Sequence, residues 1–118
     1  MVIHNNINNL LKRISFWQKS FYVHFNPSDS QYQIILREKN TSSQREFPRR
    51  IVLSIKDKPV SYSIISYEIK IDKCKEEKLN QIYAIKVEGE NDISNILDNL
   101  SEIIQGKDTK IFDLNYPF

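Results

Sequence analysis

The chain has 118 residues, 40% hydrophobic and 27% charged, with a formal net charge of +2. That suits one soluble globular domain able to bury a core of moderate size without staples. Only Gly89 and Gly106 are glycine, so a glycine-rich phosphate loop is excluded, and the single cysteine, Cys74, excludes an intrachain disulfide. A lone thiol fits a reducing compartment. The first residues lack the continuous apolar stretch of a signal peptide, and no apolar run approaches the length of a membrane span. The expected location is the cytoplasm.

The small net charge hides an asymmetry. Residues 1–60 hold ten Lys/Arg and four Asp/Glu, whereas residues 61–118 hold seven and eleven. Opposed halves of this kind mark an interaction surface or follow from two interleaved halves of one fold.

A helix is expected from about Ile3 or Asn5 to Lys19. Ile7, Leu10, Leu11, Ile14 and Trp17 recur at helical spacing and form one stripe. Asn5 or Asn6 suits the N-cap. The polar face is rich in Asn rather than Lys, which argues against a helix lying on a membrane. A hairpin follows. Phe21, Val23 and Phe25 alternate, residues 26–30 form a turn cluster, and Tyr32, Ile34 and Leu36 alternate again. The polar loop Lys39–Pro48 leads into the central hairpin, Arg49–Asp72.

In that hairpin Ile51, Leu53 and Ile55 share one face, and Asp57, Lys58 and Pro59 supply the turn. On the next strand Ile65, Tyr67, Ile69 and Ile71 share a face, which places Ser66, Glu68 and Lys70 on the other, solvated side. The charged run Lys73–Asn80 shows no apolar periodicity and reads as a loop or an exposed helical turn. Residues 81–88 form a fifth strand, with Tyr83, Ile85 and Val87 inward and Gly89 at its end. A second helix carries Ile93, Ile96, Leu97, Leu100, Ile103 and Ile104 on one stripe, with Asn91 or Asp92 at its start and Gly106 at its end.

The sum is a single α+β domain over 1–118: an antiparallel sheet of about five strands, flanked by an N-terminal and a C-terminal helix packed on one face. Residues 111–118 alternate Phe112, Leu114, Tyr116 and Phe118 with polar residues and Pro117. They read as a docking tail that adds to a partner's sheet or groove, or as a final edge strand.

No catalytic signature is present. His4 and His24 have no metal-ligand spacing around them, Cys74 sits among Lys and acidic neighbours that offset each other, and no nucleophile motif occurs. No cofactor is implied. The expectation is a small non-catalytic protein-binding module, an adaptor, accessory subunit or inhibitor, whose partner is another protein or a second copy. Phe112, Leu114, Tyr116 and Phe118 are its candidate protein contacts. The competing expectation is a nucleic-acid-binding accessory protein using the basic N-terminal half. There Arg45, Arg49 and Arg50, around Phe47 and Pro48, offer planar guanidinium groups to phosphates or to an acidic partner. No membrane partner is expected.

Overall fold

The computed structural model describes residues 2–39 and 47–108, with side chains from residue 7 onward. The chain runs α1 (Val2–Ile14), a 3-10 turn (Ser15–Trp17), then β1 (Phe21–Pro27), β2 (Gln31–Glu38), β3 (Arg49–Asp57), β4 (Val60–Ile71) and β5 (Glu77–Glu88). It ends in α2 (Ile93–Glu102), which widens into a π turn (Ile103–Lys107). The five strands form one antiparallel sheet in the order β1-β2-β3-β4-β5, an uninterrupted meander. This is the α+β architecture expected from the sequence.

Both helices cover the same face of the sheet. Ile7, Leu10 and Ile14 from α1, with Ile96, Leu100 and Ile103 from the C-terminal helical segment, join one core with Phe21, Tyr32, Ile34, Leu36, Ile51, Leu53, Ile55, Tyr62 and Ile64. Each fully buried aliphatic contributes roughly 1.5–3 kcal/mol, enough to dock helices this short. Polar bonds fix α2 in register. Asn99 Nδ2 donates to the Tyr62 hydroxyl at 2.6 Å, and that hydroxyl donates to Asn95 Oδ1. Burial raises the Tyr62 pKa, against the pull of the Asn99 bond.

The first helix stops sooner than its stripe suggests. The backbone tightens over Ser15–Trp17, with Gln18 N–H donating to the Ser15 carbonyl at 3.1 Å. The Ser15 hydroxyl bonds back to the Lys12 carbonyl, which competes with the helical ladder. Trp17 still packs on the core. At the other end Gly106, at φ 121°, supplies the left-handed step that closes the π turn. Asp92 occupies the N-cap position of α2 without a side-chain cap bond, and Asn91 instead donates to the Lys56 carbonyl at 3.0 Å.

Three expectations need correction. The β1–β2 loop is three residues rather than about five, because Pro27 still pairs with Tyr32. On β4 the face assignment is reversed for Ser66, which is fully buried on the helix side behind Tyr62 and Ile64, while Ile65 and Tyr67 face away. Finally, Glu77–Asn80 belong to β5 and pair with Glu68–Ile71. All four of these β5 side chains are exposed, so no apolar period marks them, and from Ile69 onward β4 pairs with β5 alone. A register shift at Ser66/Tyr67, where β5 carries the extra residue Ile82, precedes this segment along β4. Asp72 builds its turn by accepting from the Cys74 and Glu76 amides at 2.9 and 3.0 Å.

Candidate binding surface

β3 opens with two arginines, and strand alternation sends them to opposite faces. Arg49 points toward the helices and is 3% exposed. Its Nε and Nη2 donate to the two oxygens of Glu38 at 3.0 and 3.1 Å, and its amide donates to Glu38 Oε1 at 2.8 Å. Its Nη1 reaches both oxygens of Asp108 at 3.0–3.1 Å. The same fork takes the carbonyls of Ile103 and Ile104 at 2.7 and 3.0 Å, and Ser66 donates its hydroxyl to Asp108. Burial works against the guanidinium charge, but Glu38 and Asp108 outweigh it and hold the pKa above its ordinary value. Arg49 therefore clamps the C-terminal turn to the sheet. Every guanidinium nitrogen is occupied inside the protein, which leaves none for a phosphate or a partner's carboxylate.

Arg50 lies on the face the helices leave bare. Cross-strand register arranges that face in rows. His24, Ile35, Val52, Ile65 and Ala84 form one row across all five strands. Tyr22, Arg37, Arg50, Tyr67 and Gln81 form the next. On the opposite side lie Asn26, Gln33, Ser54, Ser63 and Lys86. Ile35, Val52 and Ile65 are only half-buried, because no described helix covers them. An open cleft of about 410 Å³ lies at the polar end of this face, lined in part by Ser54, Lys56, Ser61, Ser63, Ile65 and Lys86.

The face is basic. Arg37, Lys39, Arg50, Lys56 and Lys86 stand against Glu77 and Glu88. Arg37 pairs with Glu77, which holds that carboxyl below its ordinary pKa, and Lys86 lies 3.3 Å from Glu88. Lys39 sits 5.0 Å above the Tyr22 ring. The Arg50 Nε is buried with no hydrogen-bond partner. The far side of the molecule is acidic: Glu90, Asp92, Asp98 and Glu102 are exposed on and before α2. The split of charge between the two halves of the chain thus becomes in part a split between two faces.

Of the residues singled out in the sequence, the structure separates Arg49 from Arg50, while Arg45, Phe112, Leu114, Tyr116 and Phe118 lie outside the described residues. His24 and Cys74 are exposed, and among the described residues no three His, Cys, Asp or Glu gather as a metal site. The aliphatic row escaped notice, although the pairs Ile34-Ile35, Ile51-Val52 and Ile64-Ile65 signal it. Two adjacent aliphatics on a strand must serve both faces. Among the described residues no helix is long and apolar enough to cross a membrane. Comparison with known proteins returned no matching family, no similar curated protein and no similar solved structure.

Proposed function

We propose that the protein is a small non-catalytic binding module that takes an acidic protein partner on its open sheet face. The observation that carries this reading is the half-buried aliphatic row Ile35–Val52–Ile65 beside the row Tyr22–Arg37–Arg50–Tyr67. An apolar centre edged by Tyr and Arg is the composition of a protein interface. The surplus of cations selects an acidic partner and speeds encounter with it. Such a module acts as an adaptor, accessory subunit or inhibitor. The test is capture from native lysate after nuclease treatment, comparing the wild type with Ile65→Lys. The substitution lies on a half-exposed position and should cost no more than about 1 kcal/mol of stability. A partner retained by the wild type and lost with Ile65→Lys supports the reading. A partner retained equally by both removes the open face from the interface.

The cations and tyrosines of the same face also favour a second reading, in which a nucleic acid lies across the sheet. It predicts capture that disappears with nuclease and affinity that falls steeply with salt.

A further inference from the structure

The open face is not the only exposed feature without an internal role. The apolar stripe of α1 is used up on the core, but the turn that follows throws one aromatic outward. Phe16 is 81% exposed, the largest value among the exposed large hydrophobics of the described residues, and it touches Trp17 edge-on at 6.3 Å between centroids. Lys12 and Arg13 precede it by four and three residues, one helical turn away and on its side. Lys19 follows by three. The Lys39 amide donates to the Ser20 carbonyl at 2.9 Å, which sets a fourth cation at the edge of this shoulder, its ammonium over the Tyr22 ring. All four are exposed, and none makes an ion pair among the described residues. The chain has no Asp or Glu before Asp29.

We propose that this shoulder docks on an anionic phospholipid surface. Phe16 would enter the boundary between headgroups and acyl chains while Lys12, Arg13, Lys19 and Lys39 lie against the phosphates. The combination of one apolar prong with exposed cations matches the two layers a bilayer presents. A nucleic-acid strand is held instead in a groove that follows its backbone. Phe16 stands out into solvent, and neither it nor these four cations line the clefts beside Ser54 and Asp57. The expectation of no membrane partner rested on the Asn-rich polar face of α1; the proposal departs from it, drawing on Lys12 and Arg13 at the end of that face while the apolar stripe stays inside. The apolar contact is a different one, made by a side chain beyond the end of the helix.

The test is sedimentation of the full chain with vesicles of phosphatidylcholine, alone or containing phosphatidylserine. Wild type should bind only the anionic vesicles and release with salt. Phe16→Ser should weaken binding about tenfold or more. Lys12→Glu with Arg13→Glu should remove it, since each lost cation weakens binding about fivefold before any repulsion. These positions are exposed, so melting curves should not move. Failure of the wild type to sediment, or equal sedimentation of Phe16→Ser, overturns the proposal. So does binding of a single-stranded oligonucleotide, lost on charge reversal, by a protein that ignores the vesicles. Ile65→Lys should leave vesicle binding intact, so this proposal and the protein-binding reading fail independently.

Discussion

Arg49 and Arg50 follow one another on β3, yet one faces the helices and the other faces away from them. The first is almost wholly buried and holds two carboxylates and two carbonyls. The second shares its row with Tyr22, Arg37 and Tyr67, and its Nε has no partner. The same side chain thus holds the fold together at one position and lies on the proposed binding face at the next. A count of basic residues along the chain cannot tell these roles apart, whereas parity on the strand does.

The largest break in the comparison should come from Arg49→Ala. It leaves Glu38 and Asp108 buried without their cation, and the expected loss is about 3–5 kcal/mol, read as a lower urea midpoint. Arg49→Lys should recover little, because a point charge with three donors cannot bridge two carboxylates and two carbonyls at once. An unchanged midpoint would show that the clamp adds nothing.

Truncation sharpens the same point at lower cost. A chain ending at Asp108 keeps the clamp, and one ending at Lys107 loses its second carboxylate and orphans the Ser66 hydroxyl. The shorter chain should be less stable by about 1–3 kcal/mol. The longer one should melt like the full chain and capture less partner if Phe112, Leu114, Tyr116 and Phe118 are a second contact. Loss of cooperative melting in the longer chain would instead place those aromatics in the core.

The smallest effect belongs to the exposed pair Arg37–Glu77. Arg37 holds the Glu77 carboxyl below its usual pKa, so the contribution is present above the ordinary carboxylate value and fades as pH falls through the lowered one. Solvent and salt screen it, and Glu77→Gln should leave the melting temperature unchanged at neutral pH. A clear drop there would mean that this end of β5 is held by its charge.

Much of the architecture was legible because the core-facing residues of both helices keep the helical period and those of β1, β2 and β3 keep the strand period. Ser66 was misplaced because a serine between Ile65 and Tyr67 reads as solvated, and the bond that draws it inward comes from Asp108, forty-two residues later. Glu77–Asn80 were missed because all four side chains are exposed, and pairing through the backbone alone leaves no apolar pattern. Arg49 was within reach. Counting back two residues from Ile51 puts it on the core face, but the general exclusion of charges from cores argues the other way. The carboxylates that reverse the argument, Glu38 and Asp108, are distant in sequence and give no local sign. The open face was half legible, in the doubled aliphatics of three adjacent strands.

The most direct test of this account is lysate capture with Arg50→Glu, run beside its thermal melt. Arg50→Glu should melt close to wild type, because the residue borders solvent, and should lose the nuclease-resistant partner, because it turns the central cation of the row against an acidic surface. Capture at the wild-type level by a folded Arg50→Glu protein would contradict the assignment of the open sheet face as the binding surface.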